Sequence, residues 1–311
     1  MQPLDETQPF LAEIPAEGPF SLQDEKAYRE WREAKLNDYP SKVTDLVVGI
    51  DDPFALSEDE KNRLLALCRK TNMAVFQLQK PCGDPADKAQ VKNIGKQLGL
   101  FRLDSNLCAD DDDITSLTVV SDGRHKTYIP YSNRPISWHT DGYYNPLDKQ
   151  IRGLLLHCVT PAARGGENDL LDHEIAYIHL RDTNPAYIAA LMQPDAMTIP
   201  PNEEHGTLVR GPSPGPVFSV DSRQGFLHMR YTARTRSIEW KKDGITEEAA
   251  ACLSEFLNSD SPYIFHHRLQ SGQGLISNNV LHTRSGFEDD EARGIKRLLY
   301  RARYFDRISD T

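Results

Sequence analysis

From about residue 117 onwards, short runs rich in β-branched and aromatic residues recur along the chain. Turns rich in Pro, Gly, Asn and Asp separate them. The clearest runs are "SLTVV", "RGLLLHCV", "VFSV", "FLHMRYT", "SPYIFHHRL", "GQGLISNNVLH" and "KRLLYRARYF". Many short strands at this spacing indicate an all-β sandwich or barrel core with helices packed outside it. The predicted fold class is therefore mainly β with flanking helices.

Helical segments interrupt and precede these runs. "SEDEKNRLLALCRKTN" predicts a helix, because Ser57 and Glu60 have the spacing of a capping box. "MAVFQLQ" then reads as a buried strand, and "DPADKAQVKNIGKQLGL" as a second helix that ends near Gly99. Further helices are predicted at "DHEIAYIHL", at "TEEAAACLSEFLN" and at "PAYIAALMQ", where Asn184 is the N-cap and Pro185 the first helical residue.

The chain shows no internal repeat and no obvious interdomain linker. Residues 1–44 are rich in charge and proline, with weak periodicity, and are interpreted as an N-terminal extension. Residues 45–311 are interpreted as a single domain, which is the simpler reading for a chain of 311 residues with 39% hydrophobic content.

Charge and targeting signals narrow the function classes. A net charge of −10 argues against nucleic acid or an anionic membrane as the main partner, and no apolar run is long enough to span a bilayer. The N-terminus lacks the basic start and apolar core of a signal peptide. Five scattered cysteines without CxxC spacing favour reduced thiols in a cytoplasmic protein.

The stretch "ISWHTDGYYNP" places His139 and Asp141 two residues apart. On an extended segment, residues at this spacing point to the same face, so both side chains could bind one metal ion. His282, at the end of a predicted strand in "LISNNVLHTRSGF", would complete a set of two histidines and one carboxylate. Three such ligands leave positions on Fe(II) for a co-substrate and O₂. The alternative is that His139 is an ordinary hydrogen-bonded turn histidine.

The C-terminal "GIKRLLYRARYFD" places Arg297 15 residues beyond His282, on a strand that can return beside it. On that strand Arg297, Leu299 and Arg301 would share one face. Buried guanidinium groups are costly unless they meet anions, and a guanidinium binds a carboxylate with two parallel hydrogen bonds. The alternative is that these arginines pair with some of the 46 acidic residues or point outwards.

At this point the chain resembles the taurine dioxygenase-like (TauD/TfdA) family of Fe(II)- and 2-oxoglutarate-dependent dioxygenases, with features similar to γ-butyrobetaine hydroxylase. The matching pieces come in the family's order and cover roughly residues 45–306: "WHTD", "PAARGGENDLLDHEIAY", "NNVLHTRSGF" and "RLLYRARYFD".

The resemblance implies a double-stranded β-helix (jelly-roll) core, Fe(II), 2-oxoglutarate and O₂. It implies that His139, Asp141 and His282 hold the iron and that Arg297 binds the distal carboxylate of 2-oxoglutarate. Asn168 stands where the taurine enzyme has a Thr that binds 2-oxoglutarate, and an amide can donate a hydrogen bond from the same place. The expected reaction is hydroxylation of a substrate with release of succinate and CO₂.

The resemblance also implies a small-molecule substrate. Arg301 matches an arginine that contacts the substrate's anionic group in the taurine enzyme, so a small anionic metabolite is expected. Tyr143 and Tyr144 follow the metal motif and could instead form an aromatic wall for a quaternary ammonium group. Adjacent residues on a strand point opposite ways, so at most one of them is expected to face the iron. Arg230 lies in an arginine-rich stretch that could face the substrate or pair with local acids.

Two other functions remain open at the level of sequence. A non-catalytic jelly-roll protein that binds a metal or small molecule would keep the histidines but would not need Arg297. A zinc hydrolase could use the same three ligands, because zinc accepts three protein ligands and a water. The family resemblance is also compatible with a homo-oligomer.

Overall fold

The computed structural model of the protein describes residues 15–79, 86–105, 113–120, 129–204 and 207–311. In this part of the chain the helices are α1 Glu25–Leu36, α2 Glu58–Thr71, α3 Ala86–Gln97, α4 His173–Thr183, α5 Pro185–Leu191 and α6 Gly244–Leu257. The strands are β1 Val47–Ile50, β2 Met73–Leu78, β3 Thr115–Leu117, β4 Ile136–His139, β5 Gly153–Thr160, β6 Arg164–Gly165, β7 Asn168–Leu171, β8 Met197–Ile199, β9 Asn202–Glu204, β10 Thr207–Arg210, β11 Ser213–Gly215, β12 Phe218–Val220, β13 Leu227–Met229, β14 Glu239–Trp240, β15 Phe265–His267, β16 Gln273–Ser277, β17 Leu281–Arg284, β18 Phe287–Glu288 and β19 Leu298–Tyr304.

The two largest sheets carry the candidate site between them. The larger has six strands in the order β1-β2-β16-β5-β19-β3, and the smaller has four in the order β15-β7-β17-β4. Apolar side chains of both sheets form one buried cluster, with Leu156 and Leu275 from the larger sheet and Leu170 and Phe265 from the smaller. One face of the six-stranded sheet therefore packs against the four-stranded sheet, and the mainly β fold with helices is confirmed.

The other face of the six-stranded sheet packs on helices. Tyr300 and Ala302 of β19 join a buried cluster that includes Leu64 of α2 and Ile94 of α3. Leu299 lies instead in the cluster between the two sheets. Alternate residues of β19 thus serve two different cores, as the pleat of a strand requires.

The local signals in the sequence match the observed elements. α2 begins after Ser57, whose side chain accepts from the backbone N–H of Glu60 while the Glu60 carboxylate accepts from that of Ser57. Asn184 caps α5 and Pro185 is its first residue. None of the helices in the described ranges is long and apolar enough to cross a membrane.

Helix α1 lies in a segment for which no helix was predicted. Most of its residues are charged, and its apolar face is narrow: Tyr28 and Trp31 pack against Tyr177 of α4 with ring centroids 6.5 and 6.2 Å away. Asp24 caps the start of the helix by accepting from Ala27 N, and the aromatic contacts hold the helix on the protein. Residues 1–14 of the predicted extension lie outside the described residues.

Candidate metal centre and adjoining cavity

His139, Asp141 and His282 converge although they come from separate segments of the chain. One ligand atom from each lies within 4.8 Å of the others. His139 ends β4 and stands opposite His282 of β17 in the antiparallel register, with ring centroids 4.2 Å apart. The side chains are 12%, 5% and 8% exposed. The structure therefore brings together the three residues that the sequence singled out.

Backbone carbonyl groups fix the ring orientation of both histidines. His139 Nδ1 donates to Ser137 O at 2.9 Å, and His282 Nδ1 donates to Val280 O at 3.0 Å. A carbonyl can only accept, so Nδ1 carries the proton in each ring and Nε2 is left as the free lone pair. This is the arrangement in which outer hydrogen bonds orient a histidine for a metal.

Asp141 sits in a turn just after β4, and Gly142 makes the turn possible. Gly142 has a φ of +68°, and a Cβ at this position would lie 2.4 Å from Ile151 Cγ1. Asp141 Oδ1 is 3.5 Å from His139 Nε2 and 4.0 Å from His282 Nε2. The turn thus brings the carboxylate back towards both imidazoles.

The charge on Asp141 is stabilised although the group is buried. Burial alone would raise the pKa of Asp141, but the positive charges of Arg301 and Arg303 hold it well below its usual value. Arg301 Nη1 lies 3.3 Å from Oδ2, yet Oδ2 has no aligned hydrogen bond from any described residue. Asp141 is therefore an ionised carboxylate with one oxygen open to a further ligand.

Burial lowers the pKa of His282 to about 4, and the neighbouring His139 adds to this effect. The imidazole is neutral at physiological pH and can offer a lone pair. Two neutral imidazole nitrogens and one carboxylate suit a divalent transition metal.

Two small pockets, one at His282 and one at Arg297, are neighbours and form the two parts of the candidate cavity. Asn168 and Leu269 line both parts. The part at the metal centre is also lined by Leu156, Leu170, His267, Leu275 and His282. The remote part is also lined by Cys158, Pro161, Ala162, Gly165, Gly166, Arg268, Arg297 and Leu299. No acidic side chain is among the described residues that line either part, so the remote end is cationic and the walls are largely apolar.

Arg297 is held in place without an acidic partner for its guanidinium. The residue is 4% exposed, its guanidinium carbon lies 4.8 Å from the centre of the Phe287 ring, and Nη1 is buried with no hydrogen-bond partner in the described ranges. No salt bridge to Arg297 occurs within those ranges. A buried cation of this kind is costly unless an anion meets it.

Gly165 and Gly166 lie beside Arg297 where the chain turns from β6 into β7. Their φ values are +71° and +79°, and a Cβ on Gly165 would lie 2.2 Å from Gly286 O. Asn168 follows the turn at the start of β7, and its Nδ2 donates to Thr283 O. The amide stands on the wall shared by both parts of the cavity, and whether it binds 2-oxoglutarate stays a prediction.

The residues predicted for the substrate lie on the Asp141 side of the centre. Tyr143 and Tyr144 belong to a turn rather than a strand. Their rings have different surroundings, since Tyr143 packs on a buried apolar cluster and Tyr144 is 39% exposed. Arg230 is 2% exposed and donates to the carbonyl groups of Tyr143, Met197 and Ser213. Three of its donors are therefore engaged with the backbone, and its contact with a substrate remains a prediction.

Two arginines near the site were not singled out from the sequence. Arg268 lines the remote cavity beside Arg297 and donates to Ala162 O. Arg303, 3% exposed, pairs with Asp104 and donates to the Tyr144 hydroxyl at 2.7 Å. The alternation of β19 could have indicated Arg303, which is two residues from Arg301; the sequence holds no comparable signal for Arg268.

These residues fit a divalent iron and an anionic co-substrate. Asp141 Oδ2 and Arg297 Nη1 are buried polar atoms without hydrogen-bond partners in the described ranges, and both Nε2 atoms are free for coordination. Two histidines and one carboxylate that leave open positions are the ligand set of mononuclear non-haem Fe(II) oxygenases. Residues 37–303 match the family described as taurine catabolism dioxygenase TauD, TfdA family, and the chain belongs to it.

Two curated relatives share part of their sequence with this chain. A uridine-5'-phosphate dioxygenase from an Amycolatopsis species is 32% identical over 174 residues, which is 52% of this chain and 60% of that protein. A second, from a Streptomyces species, is 28% identical over 205 residues, or 63% of this chain and 71% of the relative. The chain thus covers only about three fifths of the length of the Amycolatopsis relative.

Solved structures with the same fold hold iron and carboxylate ligands. An asparagine oxygenase in complex with Fe(II), 2S,3S-3-hydroxyasparagine and succinate superposes with a TM-score of 0.56 at 15% identity, covering 83% of this chain and 93% of that one. The non-heme iron oxygenase OrfP in complex with Fe and alpha-ketoglutaric acid gives a TM-score of 0.58 at 18% identity, covering 80% of each chain. At these identities the likeness establishes the fold.

Proposed function

We propose that this protein is an Fe(II)- and 2-oxoglutarate-dependent dioxygenase that hydroxylates a small anionic metabolite. The observation that carries the proposal is a pair of neighbouring pockets, one lined by the candidate metal ligand His282 and the other by Arg297, a buried arginine whose Nη1 has no hydrogen-bond partner in the described ranges. A dicarboxylate that binds metal through one end needs an anion site of this kind for its other end.

In this proposal His139, Asp141 and His282 hold the iron. When bound, Fe(II) together with 2-oxoglutarate and O₂ supplies an oxidant for an unreactive C–H bond, and 2-oxoglutarate becomes succinate and CO₂. The protein's own task is to keep the two Nε2 atoms and the Asp141 carboxylate oriented through backbone hydrogen bonds and the Gly142 turn. The apolar side chains of Leu156, Leu170 and Leu275 beside His282 would help to exclude water from the centre.

Arg297 binds the distal carboxylate of 2-oxoglutarate in this scheme. Arg268 adds a second positive charge in the same part of the cavity, and Asn168 contributes its amide from the shared wall. Leu156, Leu170 and Leu275 line the pocket beside His282 and would contact the carbon chain of the co-substrate. Apolar contact along the chain and guanidinium at its end would select a short dicarboxylate.

We further propose that the two facing sheets form a double-stranded β-helix core. The shared apolar cluster between them and the likeness to solved non-haem iron oxygenases support this assignment. We propose that residues 45–311 form one domain and that residues 1–44 are an N-terminal extension whose helix α1 packs on this domain. A cytoplasmic location and a homo-oligomeric state stay predictions.

For the substrate, we propose a nucleoside monophosphate as the first candidate. The two curated relatives carry the name uridine-5'-phosphate dioxygenase, and uridine-5'-phosphate is a small anion. Arg301 supports this choice, because it lies next to Asp141 and its guanidinium makes no hydrogen bond to that carboxylate. It can therefore meet an anionic group close to the metal centre.

Anaerobic titration of the Fe(II)-loaded protein with 2-oxoglutarate tests the co-substrate site. We expect the weak visible charge-transfer band of a chelated complex, and Arg297→Ala should weaken 2-oxoglutarate binding by about 10- to 100-fold, the value of a charged hydrogen bond. Arg293→Ala is the control, since Arg293 is an exposed arginine four residues earlier. An unchanged affinity in Arg297→Ala would contradict the assignment. The absence of a band in wild type would favour a zinc hydrolase or a binding protein.

Succinate release tests the substrate. Uridine-5'-phosphate should raise succinate formation above the rate without substrate, whereas uridine, which lacks the phosphate, should raise it much less. Equal stimulation by both compounds, or by neither, would count against a phosphate-bearing substrate and would leave the co-substrate assignment untouched.

A further inference from the structure

Two adjacent asparagines, Asn278 and Asn279, precede strand β17 and point in different directions. Asn278 Nδ2 donates to Asn72 Oδ1 and to Thr311 Oγ1, and Asn278 Oδ1 accepts from the backbone of Ile308, so this side chain belongs to a polar network away from the metal centre. Asn279 makes no contact with that network through its side chain. Its amide faces the turn that carries Asp141.

The Asn279 side chain makes three hydrogen bonds, all to main-chain atoms around the metal centre. Oδ1 accepts from Asp141 N at 2.8 Å, and Nδ2 donates to Asp141 O at 2.9 Å and to Ile151 O at 2.7 Å. Asn279 is 2% exposed. Both polar groups of the Asp141 main chain are therefore held by one amide.

The backbone of Asn279 explains why this residue can reach the turn. Its φ is +55°, in the left-handed region that Asn tolerates better than most residues. Asn279 is also only three residues before His282. The same short segment thus carries one candidate metal ligand and fixes the main chain of another.

We propose that Asn279 is a positioning residue that sets Asp141 relative to His282 and thereby determines the affinity for the metal. This inference rests on the proposed function. An amide is suited to the task because it accepts and donates at once; an aspartate would lose both donated bonds, and a glycine would lose all three. Partners that orient metal ligands typically change metal affinity by about 10- to 100-fold when they are removed.

Asn279→Gly tests the proposal, with Asn72→Gly as a matched control. Asn72 is also a buried asparagine with a left-handed backbone, at φ +57°, and its side chain also makes three hydrogen bonds, to Asp172, Asn278 and Arg307. Glycine adopts this backbone conformation without strain, so each variant removes the amide alone. The two readouts are the free energy of unfolding of the metal-free protein and the dissociation constant of Fe(II), measured anaerobically through the charge-transfer band with saturating 2-oxoglutarate.

We expect both variants to lose stability, but only Asn279→Gly to bind Fe(II) about 10- to 100-fold more weakly. Equal Fe(II) affinity in the two variants would overturn the proposal. Absence of the band in wild type would mean that the proposed function itself fails, which is a distinct outcome.

If Asn279→Gly does not fold, Asn279→Asp replaces it, with Asn72→Asp as its control. The aspartate keeps the acceptor for the Asp141 N–H and adds a negative charge that by itself favours a cation. Weaker Fe(II) binding in Asn279→Asp than in its control would therefore support positioning, and equal or tighter binding would overturn it.

Discussion

Two buried aspartates in this protein, Asp141 and Asp172, differ in what surrounds their carboxylate oxygens. Asp172 Oδ2 lies 2.7 Å from Lys35 Nζ, and Oδ1 accepts from Asn72 Nδ2 and Glu174 N, each at 2.9 Å. Asp141 has histidine Nε2 atoms 3.5 and 4.0 Å from one oxygen and no hydrogen-bond partner for the other in the described ranges. One carboxylate is saturated and the other is open.

The difference teaches that a lowered pKa does not by itself identify a functional carboxylate. Burial opposes ionisation of both groups, yet the pKa of Asp172 is lowered by Lys35 and that of Asp141 by Arg301 and its neighbours. Structural ion pairs shift pKa values as active sites do. Asp141 has an oxygen without a hydrogen-bond partner in the described ranges and can therefore be a metal ligand. Asp172 is instead a structural residue, because its ion pair with Lys35 joins α1 to the start of α4.

The largest effect on turnover is expected from substitution of Asp141. Asp141→Ala should abolish turnover and the 2-oxoglutarate charge-transfer band, because one of three metal ligands is lost, while the free energy of unfolding changes by less than about 2 kcal/mol. Succinate release and urea denaturation measure the two quantities. Retained succinate production would contradict the ligand assignment.

Substitution of Asp172, whose two carboxylate oxygens are both engaged, should show the reverse pattern, in which the main effect is a loss of stability. Asp172→Ala leaves the buried Lys35 ammonium with Glu174 as its remaining acidic partner, and breaking a buried pair costs about 3–5 kcal/mol. Urea denaturation of the metal-free protein measures the loss. A change below about 1 kcal/mol would remove the contrast between the two aspartates.

Acid should affect His282 at a higher pH than it affects the Lys35–Asp172 pair. The pKa of His282 is about 4 when folded because of burial, against 6.5 for an ordinary histidine. The unfolded chain therefore takes up a proton between these values and the folded one does not, so stability falls as the pH is lowered through this window. Since the pKa of Asp172 is lowered from 3.8, its pair with Lys35 stays ionised there.

Removal of the His282 imidazole should reduce the loss of stability at low pH. Between pH 6.5 and about pH 4.5, His282→Gln should lose about 2 kcal/mol less stability than wild type. Urea denaturation of metal-free protein at each pH gives the comparison, and an unchanged pH dependence in His282→Gln would show that the buried histidine does not set it.

The smallest effect is expected from substitution of Arg301, the cation beside Asp141, and it should fall on substrate binding. Arg301 lies 3.3 Å from the carboxylate but is not hydrogen-bonded to it, whereas Lys35 is engaged by two acids. Arg301→Ala should raise the KM of an anionic substrate about tenfold, the value of one charged hydrogen bond, with little change in 2-oxoglutarate affinity. Equal losses for both ligands would place Arg301 in the co-substrate site instead.

Short-range signals in the sequence predicted several helices and strands of the fold. The Ser57–Glu60 capping box, the apolar strand β2 and the Asn184–Pro185 start of α5 each depend on contacts within a few residues. Helix α1 was not predicted, although Asp24 caps its start and its charged residues form i,i+4 pairs; its aromatic contacts with Tyr177 of α4 are visible only in the structure. Jelly-roll topology was expected from family resemblance and not from strand periodicity, which does not specify strand order.

The sequence by itself determined the identity of the candidate ligands, because a His-x-Asp spacing is local and His282 and Arg297 fall within motifs that the family shares. Only the tertiary structure decided that Arg268 joins Arg297, that Asp141 is open while Asp172 is saturated, and that Asn279 rather than Asn278 holds the Asp141 main chain. These relations join residues about 30 to 140 positions apart along the chain. Buried polar groups must find partners in three dimensions, and which groups remain without one is a property of the whole packed fold.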